Sequence, residues 1–237
     1  MSEIKGKVHS IQSLAATDGP GVRFAVFLQG CNLRCGCCHN PDTWNISGGT
    51  EYTPIEIVEK ATHYKEYFGN DGGITISGGE PLLQPEFVKE VFRLSKEAGI
   101  NTCLDTSGSV FGDSVKEALK YTDRVLLDIK YTTEPLYKEH VGCELKKPLQ
   151  FLEYLQEQNI PVTVRQVIIP TLTDNEDNIL KLKDIKDAHS TVDKVELLPF
   201  KKICQVKYDT MGIEFPFKEY ETPDREIMEK LERLIKV

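Results

Sequence analysis

Short runs of apolar and β-branched residues recur along the chain, and between them the apolar positions return at helical spacing. VRFAVFL (Val22 to Leu28), GITI (Gly73 to Ile76), NTCLD (Asn101 to Asp105), RVLLDIK (Arg124 to Lys130), VTVRQVI (Val162 to Ile168) and KVELLPF (Lys194 to Phe200) predict strands. The intervening PIEIVEKATHYKEYF, PEFVKEVFRLSKEAG and LQFLEYLQEQN predict amphipathic helices, the second closed by a glycine stop. TPDREIMEKLERLIKV predicts a capped C-terminal helix over about 222–236. Alternation of this kind produces βα units on a parallel sheet. Six strands fall short of the eight that close a full barrel, and the stretch from Cys31 to about Tyr52 reads as loop. The expected fold is therefore α/β: an incomplete (β/α)6 TIM-like barrel with a parallel sheet, open at one side. A doubly wound open sheet shares the alternation and is the structural alternative.

Composition narrows the function classes. With 237 residues and 40% hydrophobic content, one well-buried domain spanning residues 1–237 is expected, and no repeat, low-complexity tract or linker interrupts it. The net charge of -8, from 29 Lys+Arg against 37 Asp+Glu scattered along the chain, argues against nucleic acid, which needs a concentrated basic surface. It favours small-molecule or protein partners. The start, MSEIKGKVHSIQSLAATDG, has no apolar core of signal-peptide length, and no stretch approaches the roughly 18 apolar residues of a membrane span. A cytoplasmic protein without a membrane partner is expected.

Seven cysteines are an odd number, and four of them fall between Cys31 and Cys38, too close together to staple distant segments. In a reducing compartment such clustering points to metal or catalysis rather than disulfides. Cys103, Cys143 and Cys204 stand alone and read as small apolar thiols.

The polar residues that resist a purely structural account gather at the downstream ends of the predicted strands, where parallel α/β folds place their sites. Strand one runs into Cys31, strand two into SGGE (Ser77 to Glu80), and strand three into DTSG (Asp105 to Gly108). Strand four ends in Asp128 and Lys130, strand five carries Arg165, and strand six carries Glu196 and ends near Lys201. Each also has a plain reading. SGGE suits a tight turn with a solvated glutamate, DTSG suits a helix cap, and Asp128 with Lys130 suits an ordinary ion pair. Together with a cysteine loop at the same edge they favour a site.

Cys31, Cys35 and Cys38 fit CxxxCxxC. Structural zinc wants four ligands, usually from two spaced pairs; no second CxxC exists, although His39 offers a fourth donor. Iron–sulfur clusters take cysteine thiolates, commonly four, so three on a cubane leave one iron open to a substrate. With GGE after the second strand, this pattern resembles the radical S-adenosylmethionine (SAM) superfamily. TDGPGVRF (Thr17 to Phe24), CHNPDTW (Cys38 to Trp44), SGGEPLL, TCLDTSG, LLDIK and VELLPF occur in the order and spacing of glycyl-radical activases of the pyruvate formate-lyase type. The resemblance runs from about Val8 through the C-terminal helix. Many other activases insert a further cysteine-rich segment before GGE, whereas no cysteine lies between Cys38 and Cys103 here.

The resemblance implies a 4Fe-4S cluster on Cys31, Cys35 and Cys38, with the fourth iron chelating the methionyl amine and carboxylate of SAM. Reductive cleavage of the sulfonium would give a 5′-deoxyadenosyl radical that removes a hydrogen atom from a backbone glycine of pyruvate formate-lyase. No catalytic side chain beyond the cluster and cofactor is implied. By motif position, cofactor contacts fall to Cys37, Cys38, His39, Gly78, Gly79, Glu80, Asp105, Asp128, Ile129, Lys130 and Lys201. Asp105, Thr106 and Asp128 match positions that hold a monovalent cation in close relatives, and Asp18 and Arg165 match residues facing the substrate peptide. Flavodoxin or ferredoxin is expected as electron donor, and the chain is expected to be a monomer. Two positions depart from the pattern: Cys37 stands where an aromatic ring usually lies against the adenine, and Lys201 where histidine is frequent. A lost stacking ring costs about 1–3 kcal/mol by analogy with nucleic-acid sites. A radical enzyme acting on a small molecule or on another glycyl-radical enzyme is the runner-up. A non-catalytic zinc or electron-transfer protein would leave GGE, DTSG and DIK at successive strand ends unexplained.

The adjacent cysteines give the first prediction. Cys37→Ala keeps the cluster, whereas Cys38→Ala does not support cofactor cleavage; iron content and 5′-deoxyadenosine yield measure the two, and the reverse pattern would exchange the assignments.

Overall fold

The computed structural model describes residues Ile4 to Lys236. All six expected strands are present, as β2 (Arg23–Leu28), β4 (Gly73–Gly78), β5 (Asn101–Thr106), β6 (Arg124–Asp128), β7 (Val162–Ile168) and β8 (Val192–Pro199). That is the strand count of an incomplete (β/α)6 barrel rather than the full eight. Two further strands were not expected. β1 (Gly6–Ala15) precedes them, and β3 (Thr50–Tyr52) occupies the end of the stretch read as loop. Both pair antiparallel, β1 with β2 and β3 with β1. By internal contacts the chain falls into two compact units, residues 4–32 with 43–126 and residues 33–42 with 127–236.

In the first unit the strands run in the order β3-β1-β2-β4-β5. β2 pairs parallel with β4 from Arg23↔Gly73 to Leu28↔Gly78, and β4 with β5 from Gly73↔Asn101 to Ile76↔Leu104. β2 and β4 are buried at nearly every position because an inner strand is covered on both faces, whereas β1 mixes buried with partly exposed residues. α1 (Pro54–Thr62) begins with a capping box in which the Thr53 hydroxyl accepts from Glu56 N and the Glu56 carboxylate accepts from Thr53 N at 2.7 Å. α2 (Pro85–Glu97) buries Phe87, Val88, Val91 and Phe92, and the expected stop is Gly99. α3 (Asp113–Leu119) follows β5.

A buried cation locks these strand starts together. Arg23 is fully buried; its Nε donates to Thr75 Oγ1 at 3.0 Å, Nη1 to Asp71 O at 3.0 Å and Asn101 Oδ1 at 2.9 Å, and Nη2 to Ile74 O at 2.7 Å. Guanidinium suits the task because its planar fork presents several donors in a fixed geometry.

In the second unit, β7 pairs parallel with β8 from Val162↔Val192 to Ile168↔Pro199. The helices are α4 (Glu134–Val141), α5 (Lys146–Glu157), α6 (Glu176–Ala188), α7 (Gln205–Met211) and α8 (Arg225–Lys236), the last matching the expected C-terminal helix. α5 buries Phe151, Leu152 and Leu155, and α8 buries Met228, Leu231 and Ile235 on one face. Cys103, Cys143 and Cys204 are buried, as expected of small apolar thiols.

Replacing Arg23 by methionine keeps the volume but strands several buried acceptors. A loss of about 3 kcal/mol or more is expected, read as a lower denaturation midpoint at unchanged denaturant sensitivity. A change below about 0.5 kcal/mol would mean water replaces the guanidinium.

Candidate active site

The cysteine loop begins at the end of β2. Gly30 N donates to Thr43 O at 2.7 Å, which closes the loop across its base. Next to Cys31, Asn32 Nδ2 donates to the Ser109 hydroxyl at 3.2 Å, tying the loop to the segment after β5. The strip Gly78–Glu80 lies directly against this start, with Gly79 N donating to Leu28 O at 3.0 Å and Glu80 N to Gly30 O at 2.9 Å. A Cβ on Gly79 would stand 2.1 Å from Gly30 O, and Gly78 has φ +123 with its own Cβ position 2.2 Å from Leu28 N. The missing side chains therefore first permit backbone to meet backbone at Cys31.

Glu80 is not a solvated turn residue. It is 1% exposed, and its carboxylate accepts from Leu82 N at 3.1 Å, Thr106 Oγ1 at 2.7 Å, Ser107 N at 3.1 Å and Ser107 Oγ at 2.5 Å. Four donors compensate the burial of its charge. DTSG likewise caps no helix: α3 starts only at Asp113, behind Gly112. Its work is to supply Thr106 and Ser107 to Glu80. Asp105 is half-buried and accepts from the Ser77 hydroxyl at 2.8 Å. Thr75, two residues earlier on the same face of β4, donates to Asp18 O at 2.7 Å. Asp18 and Asp105 are thus brought to one face of β4 through Thr75 and Ser77, neither of which the sequence singled out.

The rest of the loop is held within the second unit. Arg34 N donates to Val141 O at 3.3 Å and Gly36 N to His140 O at 2.9 Å, both at the C-terminal end of α4. A Cβ on Gly36 would enter the Phe217 ring at 2.3 Å, so only glycine lets that ring pack on the loop. Cys38 N turns back to Cys35 O at 3.1 Å, and Tyr208 Oη donates to Cys38 O at 3.2 Å. Lys207 Nζ donates to Asn40 Oδ1 at 2.9 Å and Asp42 Oδ1 at 3.0 Å. Lys207 and Tyr208, about 170 positions downstream of Cys38, carried no motif that would have marked them. His39 Nε2 meets Lys201 O at 3.1 Å. A carbonyl only accepts, so Nε2 carries the proton and Nδ1 keeps its lone pair. Burial lowers the pKa of that imidazole, which is neutral at pH 7. Two residues selected separately from the sequence, His39 and Lys201, are therefore neighbours, although the Lys201 side chain is exposed.

At the end of β6, Asp128 stands between two cations. Its carboxylate accepts from Lys130 Nζ at 3.0 Å and Arg165 Nε at 3.1 Å, with the three side chains only 26%, 18% and 11% exposed. Burial opposes the Asp128 charge, but Lys130 and then Arg165 outweigh it and hold the carboxyl below the usual range. Burial likewise opposes the Lys130 charge; Asp128, with the Cys35 and Cys37 thiols, outweighs it and keeps the ammonium protonated well beyond its ordinary range. Ile129 is fully buried, and its N–H is given to Arg165 O at 3.0 Å.

The donor set fits an iron–sulfur cluster. Cys31, Cys35 and Cys38 lie in the same short stretch of chain and none is in a disulfide, and a cubane spreads its ligands over separate irons. Among the described residues no group of three or more His, Cys, Asp or Glu is gathered about a point for a single metal ion. Burial pushes the Cys37 thiol up to about 11, which keeps it a neutral thiol beside the three candidates.

Comparison with known proteins agrees with this chemistry. The model of the radical SAM superfamily matches residues 25–182. The pyruvate formate-lyase-activating enzyme of Clostridium pasteurianum is 44% identical over 234 residues, covering 98% of each chain. The pyruvate formate-lyase 1-activating enzyme of Escherichia coli (strain K12) is 37% identical over 233 residues, covering 97% of this chain and 95% of that one. The crystal structure of a domain of pyruvate-formate lyase-activating enzyme from Bacteroides vulgatus superposes with a TM-score of 0.58 at 21% identity, over 70% of this chain and 93% of that one, a likeness of fold.

Asp128→Asn tests the charge cluster, because it leaves Lys130 and Arg165 buried without their counter-ion. A loss of about 3–5 kcal/mol at pH 7 is expected in a denaturant titration. The folded carboxyl titrates below the unfolded value of about 3.9, so the wild-type advantage is complete above that pH and shrinks as pH falls through the folded pKa. A gap between wild type and variant that widened in acid would contradict the assignment.

Proposed function

Since this chain belongs to the radical SAM superfamily and, within it, to the pyruvate formate-lyase-activating enzymes, we propose that it installs the glycyl radical of a pyruvate formate-lyase. When bound, the family's 4Fe-4S cluster and SAM supply the chemistry, reductive cleavage of the sulfonium to methionine and a 5′-deoxyadenosyl radical that takes one hydrogen atom from a backbone glycine. The chain's own residues hold, orient and shield that pair.

Cys31, Cys35 and Cys38 are assigned to three irons, which leaves the fourth for the methionyl amine and carboxylate. The backbone of Gly78, Gly79 and Glu80 is assigned to the amine, because the Glu80 carboxylate is already filled by donors from its own chain. Lys130 is assigned to the carboxylate as a permanent point charge aimed by Asp128. Ile129 is assigned to the cofactor as well. Cys37, Cys38 and His39 are assigned to the adenine side through their backbone and the free His39 Nδ1, with Lys201 set beside them by its carbonyl. A monovalent cation is assigned to Asp105, Thr106 and Asp128. Asp18 and Arg165 are assigned to the substrate peptide, Arg165 while paired to Asp128. The reading includes a monomer acting in the cytoplasm and reduced by flavodoxin or ferredoxin.

The observation that carries this reading is the Gly30–Asn40 loop: three cysteines at CxxxCxxC spacing, none in a disulfide, on a backbone that other segments of the chain hold in place. Anaerobically reconstituted protein, mixed with SAM, a reductant and pyruvate formate-lyase, is expected to produce a glycyl-radical EPR doublet and lyase activity. Neither signal, where a known activase succeeds, would defeat the proposal. Label passing from a metabolite into 5′-deoxyadenosine without a protein partner would favour a small-molecule enzyme instead.

A further inference from the structure

Tyr131 follows Lys130 and is 1% exposed, yet its phenol oxygen makes no hydrogen bond within the chain. Burying a hydroxyl without a partner costs roughly 1–3 kcal/mol, and an orphan of this kind in a native fold calls for a physical reason. The surroundings supply one. The Tyr131 ring stands 5.4 Å from that of His140 and edge-on to Tyr137 at 6.4 Å. His140 in turn accepts Gly36 N on its carbonyl, and its ring meets Phe217 edge-on at 5.4 Å, the ring that packs on Gly36. The Tyr131 ring therefore belongs to the aromatic bed on which Gly36, between Cys35 and Cys37, rests. Burial pushes the phenol pKa up, so the group keeps its proton and remains available as a donor.

The partner that fits is anionic sulfur. A neutral thiol accepts a hydrogen bond only weakly, whereas a charge-assisted bond to an anion is roughly twice as strong as a neutral one. Hydrogen bonds to the sulfurs are among the determinants of an iron–sulfur cluster's reduction potential. Reduction adds an electron and makes those sulfurs more negative, so a donor stabilises the reduced form more than the oxidised form.

We propose that the Tyr131 hydroxyl donates a hydrogen bond to sulfur on the Cys35 side of the cluster, and that this bond raises the potential at which the cluster accepts its electron. The inference rests on the reading that Cys31, Cys35 and Cys38 hold a 4Fe-4S cluster. It assigns Tyr131 a task that no motif of the sequence marks.

The test is an anaerobic redox titration of the reconstituted cluster in wild type, Tyr131→Phe and Tyr137→Phe, followed by EPR of the reduced state. Tyr137 is the control because its hydroxyl already reaches Asp128 O at 3.5 Å. Tyr131→Phe is expected to bind the same iron but to shift the reduction equilibrium about tenfold toward the oxidised form, about 59 mV more negative for one electron. Tyr137→Phe is expected to stay within twofold of wild type. An unchanged potential in Tyr131→Phe, or equal shifts in both variants, would overturn the donor while leaving the cluster reading intact. Failure of Tyr131→Phe to fold would also count against it, since an unpartnered oxygen cannot be what holds the fold. A wild-type protein that takes up no cluster would overturn both.

Discussion

The loop from Gly30 to Asn40 has no helix or strand of its own, yet it must present three thiols in fixed directions. Ordering a residue costs about 1–2 kcal/mol of backbone entropy, so a loop of this length is fixed only by borrowing hydrogen bonds from elsewhere. It borrows them at every turn: Thr43 closes its base, Ser109 takes Asn32, the end of α4 takes Arg34 and Gly36, and α7 supplies Tyr208 and Lys207. The glycines belong to the same constraint. Gly79 lets a second backbone reach Gly30, and Gly36 lets an aromatic ring close over the loop.

Two buried carboxylates show how the same chemical group serves opposite ends. Glu80 is saturated by hydroxyl and amide donors, which makes it an internal strut joining the strip after β4 to the segment after β5. Asp128 is paired instead with two cations, and its effect is outward: it fixes where Lys130 points and keeps it charged. A sequence presents both simply as acidic residues at strand ends. Only the identity of their neighbours separates scaffold from candidate cofactor contact.

The strands were legible because a strand covered on both faces is written as a short run rich in apolar and β-branched residues, as in FAVFL and ITI. β1 escaped notice for the converse reason, since the polar residues His9, Ser10, Gln12 and Ser13 interleave with its apolar positions. β3 is three residues long and has no pattern to detect. The cysteine spacing and GGE, DTSG and DIK were equally visible, because each is a contiguous string. The residues that steady them were not. Arg23 reads as one more charge inside a strand, and Lys207, Tyr208 and Tyr131 belong to no string at all.

What the sequence determined by itself was the alternation of strands and helices, the clustering of thiols, and membership in a family whose chemistry those thiols serve. These are properties of local order, spelled by neighbouring residues. Tertiary structure alone decided that Glu80 turns inward, that His39 is held by the Lys201 carbonyl, and that the Tyr131 hydroxyl is buried without a partner. Each of these depends on which groups satisfy a buried donor or acceptor, and the chain brings those partners together from tens to more than a hundred positions apart.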